Sequence, residues 1–189
     1  MINSILAGVM ICIGAVAALG VGWPVGPFVF TIGLLTILRF KLDLFTGKAG
    51  LLLPGKISPW KLILVWIGNL LGAMGTALDL RCVKLGAVIS DRALPLLESR
   101  VSALWYENII AGILCGVLMY VAVSAYQEAP WMSIMAVAAF IFAGGGHCVA
   151  DMVYMGLAVT KETLVPAATA LIWTTIGNVI GCNLLHVRD

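Results

Sequence analysis

The pentapeptide Gly68-Asn69-Leu70-Leu71-Gly72 returns as Gly177-Asn178-Val179-Ile180-Gly181, each copy inside an apolar run, with the asparagines 178 − 69 = 109 residues apart. A second echo, Ile5-Leu6-Ala7-Gly8 against Ile109-Ile110-Ala111-Gly112, has an offset of 112 − 8 = 104 residues. The two echoes read as a duplicated unit whose halves begin and end on related segments. Halves with an odd number of membrane spans must lie inverted in the bilayer, and inverted repeats meeting at the midplane are a common way to build a substrate path.

Crossing a bilayer takes about 20 apolar residues. Six segments qualify, at 4–22, 24–46, 60–79, 106–126, 131–159 and 164–186. Hydrophobic residues make up 62% of the chain, charged residues 11%, and the mean hydropathy is +1.09. A soluble domain of this length does not carry so much apolar surface. The fold class expected is therefore an all-α membrane protein with six transmembrane helices in two inverted three-helix repeats. The repeats cover about 1–79 and 106–189 of a single channel domain. The segment 80–105, with Arg81, Lys84, Asp91, Arg92, Glu98 and Arg100, is the polar connection long enough to join them. No cleavable signal peptide is expected, because Met1-Ile2-Asn3-Ser4 is not basic and no cleavage site precedes the next span. A net charge of +2 with scattered Lys and Arg provides no basic field, so nucleic acid is not an expected partner. The positive-inside count does not set the orientation: Lys48, Lys56, Lys61 and Arg188 oppose Arg81, Lys84, Arg92, Arg100 and Lys161. Four of the five cysteines (12, 82, 115, 148 and 182) lie in apolar segments and none forms a Cys-x-x-Cys pair, so neither a disulfide framework nor a zinc site is read.

The second and fifth spans carry residues that hydrocarbon does not favour. The second ends in Arg39-Phe40-Lys41-Leu42-Asp43-Leu44-Phe45-Thr46-Gly47, and the fifth contains Gly144-Gly145-Gly146-His147-Cys148-Val149-Ala150-Asp151. Three consecutive glycines break a helix. Broken backbone at membrane depth is tolerated only where it faces protein or a water-lined path. Both spans are expected to be discontinuous, and that points to a central site.

His147 is the histidine inside a span, since His186 sits at the carboxyl end. An ionisable residue at membrane depth costs about 3 kcal/mol on insertion scales, so it marks a pore by default; the plainer alternative is a neutral histidine bonded to broken-helix backbone. Asp151 follows one helical turn later, where it could hold the His147 tautomer or instead pair with a neighbouring helix. Asp43 reads as an internal ion-pair partner for the Arg39-Phe40-Lys41 run. Asn69 and Asn178, flanked by glycines, read as packing residues that bond broken-helix backbone. Trp60 and Trp131, at span ends beside prolines, read as interface anchors. No catalytic signature is present, and neither enzyme activity, a metal nor a cofactor is expected.

Taken in order, Phe30-Thr31-Ile32-Gly33-Leu34, Asp43-Leu44-Phe45-Thr46, Gly144-Gly145-Gly146-His147-Cys148-Val149-Ala150-Asp151-Met152 and Thr175-Ile176-Gly177-Asn178-Val179-Ile180-Gly181 resemble the formate/nitrite transporter family over nearly the whole chain. The resemblance implies an aquaporin-like six-helix protomer in the inner or plasma membrane, a homopentamer, and one pore per protomer for small monovalent anions such as formate, nitrite or hydrosulfide. It assigns Thr46 to the threonine of the loop breaking the second helix and His147 to the central histidine. Phe30 and Phe140 match the outer constriction, Leu34 and Phe45 the inner one, and Arg100 a vestibule lysine. Relatives usually carry Glu at Gly146, Asn at Asp151 and Asn in the fourth helix at Gly116, and run longer at both ends.

On this reading Arg100 gathers anions, the apolar rings exclude water, and Thr46 with His147 bonds the solute. A rival reading is a facilitator for a neutral solute (water, ammonia or urea), with Asp151 marking an altered filter.

Overall fold

The computed structural model describes residues 1–185, so His186 and Arg188 lie outside the described residues. Among these the chain forms nine α-helices: α1 (Ile2–Val21), α2 (Gly26–Arg39), α3 (Phe45–Ala49), α4 (Pro59–Arg81), α5 (Lys84–Ser102), α6 (Trp105–Ala125), α7 (Pro130–Phe142), α8 (Cys148–Ala158) and α9 (Leu164–Asn183). α1, α4, α6 and α9 are each long and apolar enough to cross a membrane. The expected second and fifth spans are each in two pieces, α2 with α3 and α7 with α8. Prolines open α2, α4 and α7, at positions where a missing N–H costs nothing. Ser58 caps α4 by accepting from the Lys61 N–H at 3.3 Å.

Small residues set how closely the helices cross. On α4 the buried face runs Leu62, Val65, Gly68, Asn69, Gly72, Ala73 and Ala77, a helical stripe with glycine where α1 crosses. A Cβ on Gly72 would run into the Ile5 carbonyl oxygen, and one on Gly181 into that of Ile113, so any larger residue would push the pairs α1–α4 and α6–α9 apart. Large apolar side chains such as Ile32, Leu71, Ile110, Val165 and Ile172 stay exposed, as a lipid-facing surface requires.

These contacts correct the register of the second echo. Ile5 corresponds to Ile113, and Gly8, packed on the Asn69 carbonyl, corresponds to Gly116, packed on that of Asn178. The match is thus one helical turn beyond the offset read from the sequence. Runs of small and apolar residues look alike at positions four apart, so sequence similarity alone does not choose the turn that faces the partner. The same contact explains Gly116. A Cβ there would lie 2.6 Å from the Asn178 carbonyl oxygen, and no asparagine side chain fits. The buried asparagine of α6 is Asn108, which donates to the Arg100 carbonyl at 3.0 Å.

The polar connection is more ordered than its composition suggests. Most of it is α5, whose Gly86, Ile89, Ala93 and Leu97 are buried. This apolar stripe lays the helix against α8 and carries Arg100 to the central break.

Candidate functional site

Two asparagines hold the two helix breaks in matching ways. Asn69 Oδ1 accepts the Phe45 N–H at 2.7 Å, while its Nδ2 donates to the carbonyls of Ser4 (2.7 Å) and Asp43 (2.9 Å). Asn178 Oδ1 accepts the Cys148 N–H at 2.9 Å, and its Nδ2 donates to the carbonyls of Gly112 (2.9 Å) and Gly146 (2.7 Å). Each amide therefore satisfies the first N–H of the second half-helix and, two residues before it, a carbonyl inside the break. These groups would otherwise be buried without partners. Gly144, with φ +73, takes the chain through the turn after α7 in a conformation that glycine adopts without steric cost.

The breaks bring Thr46 and His147 together from 101 residues apart in sequence. Thr46 Oγ1 and His147 Nε2 are 3.0 Å apart, and both side chains are buried. His147 is also the N-cap of α8: its Nδ1 accepts the Ala150 N–H at 3.1 Å. A ring nitrogen that accepts from backbone carries no proton. The proton of the neutral ring is then on Nε2, and the Thr46 hydroxyl accepts it. This corrects one expectation about Asp151. The carboxylate does not hold the His147 tautomer; the backbone of α8 does, and Asp151 Oδ1 instead accepts from Arg100 Nε at 3.4 Å.

One cavity of about 160 Å³ opens onto His147, lined by Phe30, Phe140, Arg100, Asp151 and Tyr154 among others, while Thr46 lines a separate cavity of about 220 Å³ with Gly47, Gly50 and Tyr120. Phe30 and Phe140 meet edge to face, centroids 6.3 Å apart, and Phe140 stacks on the imidazole at 5.8 Å. Arg100 is not a free surface cation. Its Nη2 donates to the Gly145 carbonyl at 2.8 Å, with longer contacts from both Nη atoms to the Gly144 carbonyl and the Asp151 pair through Nε. The guanidinium covers Gly146, where a Cβ would lie 3.5 Å from its Cζ. It thereby satisfies carbonyls released by the break, while the space a side chain at 146 would need is taken first by Thr174, whose Cγ2 would lie 2.9 Å from that Cβ.

A further cavity, of about 330 Å³, lies on a different part of the surface, lined by Leu34, Ile37, Leu44, Lys41 and Lys48 among others. Leu34 stands in its wall, but Phe45 does not. Phe45 lines an apolar groove between α4 and α9 with Leu62, Trp66 and Val179, so the expected Leu34/Phe45 pair is not brought into one cavity. Leu44, 2% exposed, shares the cavity with Leu34. Sequence reasoning missed Leu44 because the residue ahead of a half-helix points differently from the one that starts it. Asp43 also has a different partner from the one expected: it pairs with Lys48 at 3.1 Å, while Lys41 adopts φ 55.

Known proteins resemble this chain in sequence and in fold. The formate channel FocA of Haemophilus influenzae is 24% identical over 170 residues, an alignment that covers 81% of this chain; the chain spans 59% of that relative's length. Two solved structures share the fold, each with a TM-score of 0.77. One, described as a pentameric formate channel with formate bound, is 22% identical over 99% of this chain and 93% of its own. The other, described as an FNT family ion channel, is 24% identical over 97% and 85%. The profile of the formate/nitrite transporter family matches residues 1–187, and this multi-pass membrane chain belongs to that family.

Proposed function

We propose that the chain is a pore for small monovalent weak-acid anions of the formate, nitrite or hydrosulfide type, which cross as the neutral protonated species. The observation that carries this reading is the buried Thr46–His147 bond, set between half-helices and beside the Phe30/Phe140 ring pair. The imidazole, with the Thr46 hydroxyl bonded to it, is offered to a solute on the ring side together with Arg100, Asp151 and Tyr154, and apolar rings on the approach make a bare charge costly. Protonating a carboxyl with an ordinary pKa of about 4 costs about 4 kcal/mol at pH 7. That is comparable to or less than the cost of placing an ion at membrane depth, about 3 kcal/mol on insertion scales and 10 or more in simulations. The amino end of α8 adds a positive dipole end near the imidazole, which favours an anion's approach.

In this proposal six membrane crossings, two of them broken, form two inverted repeats of about 1–79 and 106–189, joined by a linker of about 80–105. The protein sits in the inner or plasma membrane as a homopentamer, with lipid and its small anion as partners. Supporting this are the matched Asn69 and Asn178 clamps, the matched glycine crossings and the pentameric assembly named for the similar formate channel. Native mass spectrometry in mild detergent should show five copies; a monomer or trimer with full transport would count against the assembly.

Phe30 and Phe140 form the narrow ring on one side. Leu34, with Leu44, provides the apolar wall on the other, and Phe45 backs the break from behind. Arg100 and Asp151 set the charge at the mouth. Phe140→Ala should admit larger monocarboxylates such as lactate while formate entry falls less than about threefold, because truncation opens space without removing a polar contact. Unchanged lactate exclusion in both Phe140→Ala and Phe30→Ala would remove the rings as the filter. The proposal as a whole is tested by proteoliposome flux. Saturable uptake of formate or nitrite with no urea permeation supports it, whereas urea or water permeation without anion uptake would support the neutral-solute rival.

A further inference from the structure

We propose that Cys182 and Asn183, at the carboxyl end of α9, are positioning residues for Thr46, a role that rests on the reading of Thr46 as a solute-bonding group. α3 is five residues long, too short to satisfy its own ends, and its carbonyls from Thr46 onward need partners from outside the α-helical pattern. α9 supplies them. The Cys182 thiol donates to the Thr46 carbonyl, Sγ to O 3.3 Å, and Asn183 Nδ2 donates to the Ala49 carbonyl at 2.9 Å. Asn183 Oδ1 accepts the Leu53 N–H at 3.0 Å just beyond the helix, and the same amide nitrogen touches its own Val179 carbonyl at 2.8 Å. The fit is close, since a Cβ on Gly50 would lie 3.0 Å from the Cys182 carbonyl oxygen.

α3 is thus held at its start by Asn69 on α4 and along its far side by α9. Without the second hold, a single helical turn fixed at one end would be free to swing, and the 3.0 Å approach of Thr46 Oγ1 to His147 would be lost. In the other half the far end of α8 is met from α4 by a different residue, Arg81, whose Nη1 donates to the carbonyls of Gly156 and Val159, each at 3.4 Å. By the contacts of Gly8 and Gly116, the residue on α4 that corresponds to Cys182 is Ala73, and Met74 follows it; neither side chain is a hydrogen-bond donor. The eleven-residue α8 also propagates its own bonds. The two residues therefore serve the half that presents Thr46.

The test is formate and nitrite flux into proteoliposomes for Cys182→Ala, Cys182→Ser and Asn183→Ala, each alone and in a Thr46→Val background, with assembly checked by native mass spectrometry. Thr46→Val should lower flux about tenfold, and Cys182→Ala about fivefold, the factor expected when one bond of about 1 kcal/mol is lost. Cys182→Ser keeps a donor and should recover most of the flux. In the Thr46→Val background neither Cys182→Ala nor Asn183→Ala should lower flux further, because both act through the hydroxyl already removed. Equal fold-losses in both backgrounds, or no rescue by serine, would overturn the positioning role while leaving Thr46 in place. A silent Thr46→Val would overturn the reading of Thr46 and the positioning role with it. If Asn183→Ala does not assemble, the cysteine variants decide.

Discussion

Asn178→Ala is expected to cost the protein about 2–6 kcal/mol of stability, enough to empty the assembled fraction after mild heating. The substitution removes three hydrogen bonds at once and leaves the Cys148 N–H and the Gly146 carbonyl without their amide partner in a fully buried site. Each buried group left unpaired costs about 1–3 kcal/mol, against a total stability of about 5–15 kcal/mol for an ordinary domain. Asn69→Ala should cost a similar amount, because it makes the same three kinds of bond to Phe45, Ser4 and Asp43. The check is thermal unfolding in detergent followed by the loss of the oligomer peak on size exclusion. Wild-type midpoints for both variants would mean that water or neighbouring groups satisfy the breaks and that the asparagines are ordinary packing residues.

His147→Phe is expected to leave a folded, assembled protein whose formate flux falls at least about tenfold at pH 7 and no longer rises in the normal way as external pH falls. The replacement keeps a planar ring beside Phe140 but removes the Nε2–H offered at Thr46 and the Nδ1 acceptor that caps α8. Loss of one solute bond worth about 1.4 kcal/mol corresponds to the tenfold fall. Asp151→Asn should behave differently. Because its carboxylate faces Arg100 and not the imidazole, neutralising it should free the guanidinium charge, raise uptake at low substrate concentration and leave the pH midpoint where it was. Flux against external pH for the three proteins separates these outcomes. Overlapping profiles for the parent and His147→Phe would remove the histidine from the transport step.

Much of this arrangement was legible in the chain. The glycine run 144–146 and the charged end of the second span announce two breaks because both conflict with helix formation in lipid. The repeated Gly-Asn-x-x-Gly announces two polar clamps inside tight crossings, and both asparagines bond the breaks. What stayed hidden depends on direction and reach. Whether Asp151 meets His147 or Arg100 depends on where α5 delivers its last turn, and a polar connection gives no hint that it will pack as a helix. Leu44 and Phe45 are neighbours with the same chemistry, and only the half-helix geometry assigns one to a cavity and the other to the groove behind it. Cys182 and Asn183 carried no signal, since a thiol and an amide at the end of an apolar helix are common, and these targets are backbone atoms 130 or more residues away.

The central claim, neutral transit of a weak acid, is tested most directly by measuring initial rates of formate entry into proteoliposomes together with internal pH, over external pH 5 to 8 and with the membrane potential clamped. The account predicts saturable entry that rises as external pH falls, one proton accompanying each anion, and no dependence on the clamped potential. Entry that follows the potential and moves no proton would contradict it, because it would show the bare anion passing the Phe30/Phe140 ring.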